Sequence, residues 1–383
     1  MKEKLGEICD ILNGFAFKSN EYVNNGIRII RITNVKNGYI EDSDPKYYPE
    51  SQEIYIQNYL LKENDILISL TGNVGRVAML PAKFLPAALN QRVACLRIKK
   101  DVKLDRNYLY YHLNNNIFEK NCINASKGIA QKNLSTEWLQ NYTIKIPIML
   151  YQNKISNILD KVTNLIELRK KQLEKLDIFS KALFVEMFGD PVKNPMKWKK
   201  DKLMNLGYLG RGISKHRPRN DPKLLGGKYP LIQTGDISKN DLFIDAFTDT
   251  YSEDGLKQSK LWNKNTLCIT IAANIAKTSI LAIEACFPDS IVGFIPEKKI
   301  DNIFLHYWFK FFQKILEEQA PESAQKNINL KILSNLNVIV PPIELQNKFV
   351  EKVKHIDKIK SDIQDSLNKL DTLKKSLMQE YFS

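Results

Sequence analysis

The chain has 383 residues, 57 of them Lys or Arg against 43 Asp or Glu, for a net charge of +14 and a pI near 9.3. With 43% hydrophobic and 26% charged residues, it has the makeup of a soluble protein with room for two cored domains, and no apolar run reaches membrane-spanning length. The basic excess points to an acidic polymer as partner, nucleic acid first. The five cysteines, Cys9, Cys95, Cys122, Cys268 and Cys286, show no CxxC spacing, which argues against a zinc site and a disulfide framework. The charged opening lacks an apolar signal core, so a cytoplasmic location is expected.

The first half reads as α/β. Stretches rich in β-branched residues predict strands at Ile27–Val35, Asp65–Leu70, Arg76–Leu80 and Arg92–Ile98. Apolar residues at helical spacing predict a helix over Arg106–Cys122. A short strand follows at Asn141–Ile146, and Pro147 both ends it and suits a helix entry. From Gln152 to Phe188 the pattern changes. Ile155, Leu159, Val162, Ile166, Arg169, Leu173, Leu176, Ser180, Leu183 and Met187 alternate gaps of four and three, a heptad seam with polar interruptions. Lys and Glu fill the outer positions. Such a rod is about 55 Å long at 1.5 Å per residue and cannot bury its stripe alone. A Gly/Pro-containing turn and linker follow at 189–198.

The second half repeats the first. Tyr229–Ile237 stands for Ile27–Val35, Thr266–Ile271 for Asp65–Leu70, Asn274 for Asn73, and Ile303–Leu316 for the first helix. Ala130-Gln131-Lys132-Asn133 recurs as Ala324-Gln325-Lys326-Asn327, and Pro147 as Pro341. A second rod, Gln346–Phe382, carries the seam Phe349, Val353, Ile356, Lys360, Ile363, Leu367, Leu370, Lys374, Leu377 and Tyr381, each 194 residues after its counterpart. Gln-Asn-Lys opens both rods, and Glu186 and Phe188 recur as Glu380 and Phe382. The two rods are each other's simplest partners. The chain is therefore a tandem duplication, with domains at 1–147 and 201–341, rods at 148–188 and 342–383, and a linker at 189–200. The offset drifts from about 201 near Asn73 to 194 at the rods, so the loops differ while the rods keep register. Two similar scaffolds with unlike loops suggest one task performed on two targets, which for a basic chain means two dissimilar DNA half-sites.

A search for catalytic motifs finds none. Asn194-Pro195-Met196 is the nearest string to an adenine methyltransferase turn and lacks its second proline. No GxxxxGK(S/T) or HExxH is present, Gly72-Asn73-Val74-Gly75 reads as a tight turn, and His112, His216, His306 and His355 are scattered. Glu317-Glu318 reads as a solvated helix face. No metal or cofactor is expected, and chemistry would come from a partner. The competing classes are a self-contained DNA methyltransferase or nuclease, which would act alone on DNA, and a coiled-coil scaffold, which would show no sequence preference.

The chain resembles the specificity (S) subunits of type I restriction-modification systems. The likeness is carried by Gly14-Phe15-Ala16-Phe17-Lys18-Ser19, Gly72-Asn73-Val74-Gly75, Leu89-Asn90-Gln91-Arg92, the paired Ala-Gln-Lys-Asn segments and the Glu-x-x-Phe rod ends. The second half departs: Ala272-Ala273-Asn274-Ile275-Ala276 replaces the Gly-rich turn, and Phe287-Pro288-Asp289-Ser290 replaces Leu89–Arg92. The resemblance implies two target recognition domains of mixed sheet plus helices, separated by two long antiparallel coiled-coil helices in an internal pseudo-two-fold repeat. It implies a non-catalytic reader of a split, asymmetric double-stranded DNA site. Two modification (methyltransferase) subunits would dock on the rods, with restriction-translocase subunits in the full complex.

Residues that read different half-sites should differ between halves, while shared ones hold the fold, grip phosphate or dock partners. Candidate DNA contacts are Phe17, Lys18, Ser19, Arg31, Asn34, Lys36, Thr71, Asn73 and Arg76 in the first half. In the second they are Arg211, Lys215, His216, Arg217, Arg219, Gln233, Thr234, Asn274 and Lys277. Arg suits guanine and Asn or Gln suits adenine, although most basic residues near DNA meet phosphate. Gln131, Asn133, Gln325 and Asn327 are shared, and so are assigned to structure or partner docking. Arg169 and Lys360 are taken as equivalent seam charges that snorkel or set register.

Overall fold

A computed structural model describes residues 2–128, 132–272, 275–319 and 328–382, the side chains of 314–319 excepted. Contacts divide the chain into two units. One is Met1–Leu168 with Leu367–Ser383, and the other is Arg169–Ser366. The rods are continuous helices of 40 residues, Met149–Phe188 and Ile343–Phe382. Each begins three residues before its Gln-Asn-Lys, and each gives a segment to both units. The division thus falls within the rods.

In the first unit, Cys9–Asn13, Val93–Ile98, Ile66–Ser69 and Val77–Met79 form a four-stranded antiparallel sheet in that order. Their inward side chains, Ile66, Ile68, Ala94 and Leu96 among them, pack under the helices Arg106–Leu113 and Asn116–Ala125. A second, mixed sheet orders Tyr47–Tyr48, Ile27–Ile30 and Ala87–Leu89. Two expectations are corrected here. The helix expected over Arg106–Cys122 is two helices, because the Asn115 side chain accepts the N–H groups of Ile117 and Phe118 and caps a new one. The strand expected over Ile27–Val35 stops at Ile30, because Asn34 Oδ1 accepts the Arg31 N–H at 2.9 Å and turns the chain.

The second unit repeats the sheet order with Gly207–Arg211, Ile291–Pro296, Leu267–Thr270 and Thr278–Leu281, then adds Phe243–Ile244 in parallel. A smaller sheet orders Asp249–Tyr251, Leu225–Leu231, Ala285–Cys286 and Leu261–Trp262. The strand expected at Tyr229–Ile237 ends at Leu231, and the helix Thr234–Lys239 follows, opened by the Gln233 N–H donating to Asp236 Oδ2 at 2.8 Å.

The Gly-rich turn survives its replacement. Gly75 has φ 79° and donates its N–H to Ser69 O at 2.9 Å, while Ala276 has φ 56° and donates to Thr270 O at 2.9 Å. A hydroxyl anchors both turns, Ser69 Oγ accepting from Arg76 N and Thr270 Oγ1 from Lys277 N. The same left-handed step is thus made with and without glycine.

The rods are tied in by matching contacts. Gln152 and Gln346, both fully buried, each make three hydrogen bonds. Gln152 Oε1 accepts from Asp105 N, and its Nε2 donates to Lys103 O and Pro147 O. Gln346 Oε1 accepts from Asp301 N, and its Nε2 donates to Lys299 O and Pro341 O. In the first unit Phe382 packs on Tyr108 and His112, with Leu159 in the same core. In the second, Phe188 packs on Phe304 and Phe349, and Lys360 bonds Asp177. Every seam residue of both rods is buried or half-buried. The expected equivalence of Arg169 and Lys360 is corrected: at 194 residues' offset, Arg169 falls on Ile363 and Lys360 on Ile166. All five cysteines are free and buried.

Candidate DNA interface

In both units the loop after the first strand of the larger sheet begins at a glycine pressed on the chain before another strand. A Cβ on Gly14 would lie 2.2 Å from Asn90 O, and one on Gly212 would lie 2.3 Å from Pro288 O. Only glycine allows that approach, and it carries Lys18 and Ser19 in one unit and Lys215 to Arg219 in the other onto comparable rims. Lys18, Ser19, Lys215, Arg217 and Arg219 are exposed there.

The second rim is the more concentrated. Arg217 and Arg219 both reach the Asp289 carboxylate, Arg217 Nη2 at 3.6 Å from Oδ2 and Arg219 Nη2 bonding Oδ1. Arg211 Nε donates to the Asp289 carbonyl. Arg217 Nη1 also donates to Ser214 O at 2.6 Å and His216 O at 2.8 Å. His216 Nε2 lies 3.0 Å from Asp221 Oδ2. The Asp221 carboxyl is held below its usual range, first by the Lys223 backbone N–H, which desolvation opposes and the His216 bond assists. Exposed Gln233 donates to Asp249, and Thr234 is half-buried beside it.

Lys277 lies elsewhere. It lines a cavity of about 390 Å³ with Asp177, Lys181, Asp241, His306 and Lys310. Burial pushes the Asp241 carboxyl up, but Lys310, His306 and Lys360 outweigh it and hold that carboxyl low. Burial is also the main cause pulling His306 down to about 3. Its Nδ1 meets Thr278 Oγ1 at 3.0 Å, and among the described residues its Nε2 has no hydrogen-bond partner, Asp241 Oδ1 lying 3.9 Å away.

On the first rim, Arg31 is drawn to Asp44, with Nη2 3.1 Å from Oδ2, and Lys46 bonds the same carboxylate at 2.7 Å. Those bonds, Lys46 first, hold the Asp44 carboxyl low. Lys36 stands 4.0 Å from Glu41 and Lys18 4.0 Å from Glu21. Asn73 is exposed and Arg76 half-buried.

Three expected contacts are corrected because their side chains face inward. Phe17 packs edge-on against Phe15 and Tyr48 in a buried cluster. Asn34 is spent on Arg31 N and Glu41 O. Thr71 Oγ1 donates to Asn133 Oδ1 at 2.7 Å. Gln131, Asn274, Gln325 and Asn327 lie outside the described residues.

Sequence reasoning missed the acids. Asp44 and Asp289 organise the two rims, and the signal for Asp289 was the replacement of Leu89–Arg92 by Phe287–Ser290. Among the described residues no group of three His, Cys, Asp or Glu could hold a metal, and no helix is long and apolar enough to cross a membrane.

The family profile described as "Type I restriction modification DNA specificity domain" matches residues 1–177 and again 195–372. The chain is 26% identical over 421 residues to the "Type I restriction enzyme EcoBI specificity subunit" of Escherichia coli, covering 100% of this chain and 85% of that protein. It is 30% identical over 187 residues to the "Type I restriction enzyme MjaVIII specificity subunit" of Methanocaldococcus jannaschii, covering 47% and 43%. Its fold matches the crystal structure of the type I restriction-modification S subunit from M. genitalium with a TM-score of 0.62 at 15% identity, covering 100% and 96%. With the profile repeating over both halves and the same sheet order built twice, the chain belongs to the type I restriction-modification DNA specificity family.

Proposed function

We propose that this chain is the non-catalytic DNA-recognition subunit of a type I restriction-modification complex, working in the cytoplasm. The globular parts, 1–147 and 201–341, each read one part of a split, asymmetric duplex site. Two methyltransferase subunits dock on the chain and supply the chemistry, and restriction-translocase subunits complete the assembly. The observation that carries this reading is one sheet order built twice beneath rims of unlike charge chemistry.

The rods, 148–188 and 342–383, form an antiparallel coiled coil, with 189–200 as linker. Two pairs in the second unit support this: Phe188 with Phe349 and Asp177 with Lys360, one index falling as the other rises. The Phe382 and Phe188 anchors, each set on a domain helix, support the pseudo-two-fold repeat. DNA contacts come from Lys18, Ser19, Arg31, Lys36, Asn73 and Arg76 on one rim. On the other they come from Arg211, Lys215, His216, Arg217, Arg219, Gln233 and Thr234, with Lys277 nearer the rod.

Methylome sequencing of a host expressing this chain with its methyltransferase subunit tests the reading. The expected result is one bipartite, asymmetric motif with a fixed gap. Methylation or cutting of DNA by the purified chain alone, or no sequence preference in the complex, would reject it. Inserting one heptad in both rods adds about 10.5 Å and lengthens the gap by about 3 bp at about 3.4 Å per base pair. An unchanged gap would reject the rods as ruler.

A further inference from the structure

We infer that Asp289 is a specificity-determining positioning residue, which holds Arg211, Arg217 and Arg219 in one fan for reading base edges. The inference rests on the proposed DNA-reading function and deepens it. Three guanidinium groups meet one residue: Arg217 and Arg219 at its two carboxylate oxygens, and Arg211 at its backbone carbonyl. The backbone carbonyls of Ser214 and His216 grip Arg217 from behind. Asp289 is itself only 31% exposed in its side chain, against 55% and 46% for Arg217 and Arg219. The acid is therefore the recessed member, and the two arginines are the more exposed.

Two consequences follow from the chemistry. A free surface arginine samples many rotamers and finds phosphate most readily, because phosphate attraction needs no fixed geometry. An arginine held by a carboxylate has surrendered that freedom before binding, and its planar fork suits the paired acceptors of a guanine edge. The carboxylate also cancels one of three positive charges, which weakens sequence-independent attraction. Asp289 so favours discrimination over affinity. It lies in the segment Phe287–Ser290, where the second half abandons the Leu89–Arg92 sequence of the first, as a residue particular to one half-site should.

The test uses the full chain assembled with its methyltransferase subunits, as wild type and as Asp289→Asn and Asp289→Ala. Each is taken through selection from random duplex DNA, then titrated against the selected site and against sites scrambled in either half, at two salt concentrations. Both variants should lose at least about tenfold in discrimination at one half-site, the size of one lost base contact, and keep the other half-site intact. Binding to fully scrambled DNA should tighten and depend more steeply on salt. Discrimination unchanged in both variants, or lost equally at both half-sites as a general fold defect would cause, overturns the inference. Should both variants fail to assemble, Asp289→Glu keeps the charge and moves the carboxylate outward by one methylene; discrimination should then fall at that half-site alone, and discrimination unchanged in this variant overturns the inference. A wild-type complex without any sequence preference would instead sink the proposed function itself.

Discussion

Gln346 offers the sharpest test of how a rod is fixed to its domain. Its amide is fully buried and bridges three backbone groups, accepting the Asp301 N–H at 3.0 Å and donating to Lys299 O at 3.1 Å and Pro341 O at 2.9 Å. Replacement by Leu keeps the volume and strands one donor and two acceptors. At about 1 kcal/mol for each net bond, and about 1–3 kcal/mol for a buried donor left unpaired, the loss should be about 3–5 kcal/mol. Gln346→Glu separates geometry from shape. It keeps the bond from Asp301 N but puts one carboxylate oxygen, in place of the nitrogen that donated twice, against the carbonyls of Lys299 and Pro341. Burial and those carbonyls raise the folded pKa of the new acid above the unfolded value of about 4.3. The variant should therefore be least impaired below about pH 4 and lose stability as pH rises through the folded pKa. Urea denaturation across pH, with hydrogen exchange at the Asp301 amide, reads both. A Leu variant within about 1 kcal/mol of wild type would refute the hydrogen-bond account, because a single net bond is worth that much.

Gly75→Ala should destabilise the first unit by about 2–4 kcal/mol in thermal or chemical unfolding, since φ is 79° and the new Cβ would lie 2.7 Å from Cys122 Cβ. Phe382→Ala should cost about 3 kcal/mol by emptying the contact with Tyr108 and His112. Asp65→Asn should cost about 3–5 kcal/mol, because Arg97 makes two bonds to that buried carboxylate and would be left uncompensated. His306, held down to about 3, stays neutral in the fold while the unfolded chain takes up a proton below about 6.5. Its contribution is thus full above pH 6.5 and lost as pH falls toward 3, by up to about 1.4 kcal/mol per pH unit, a slope that His306→Asn should remove from an acid titration of stability.

The rods were legible in the sequence because a heptad repeat is a local pattern with no competitor, and the duplication copied it at a fixed offset. The strands over Asp65–Leu70 and Arg92–Ile98 were legible for the same reason, being apolar runs bounded by turns. What failed was decided by side-chain capping. Asn115 split a helix whose apolar spacing runs through the break, and Asn34 ended a strand whose β-branched residues run on. The site was half legible. Exposed basic loops can be read as such, but whether a polar residue such as Asn34 or Thr71 faces out depends on partners seven and 62 residues away. The acids that arrange the arginines look like any other surface charge until the fold brings Asp289 back beside residues 70 or more positions earlier.

Those acids alter what the net charge of +14 means for binding. There are nine basic candidates, eight on the two rims and Lys277 in its separate cavity: Lys18, Arg31, Lys36, Arg76, Arg211, Lys215, Arg217, Arg219 and Lys277. If each neutralised a phosphate, binding would weaken with a log–log salt slope of about −8. Among the described residues, however, Lys18, Arg31, Lys36, Arg217 and Arg219 each have a carboxylate within 4.0 Å, and the other four have none. Phosphate contact by those four alone gives a slope of about −4. Titration of the full chain with non-cognate duplex across salt concentrations should fall near the smaller value. A slope steeper than about −6 would mean that the paired arginines and lysines abandon their carboxylates for phosphate, and the rims would then grip DNA before they read it.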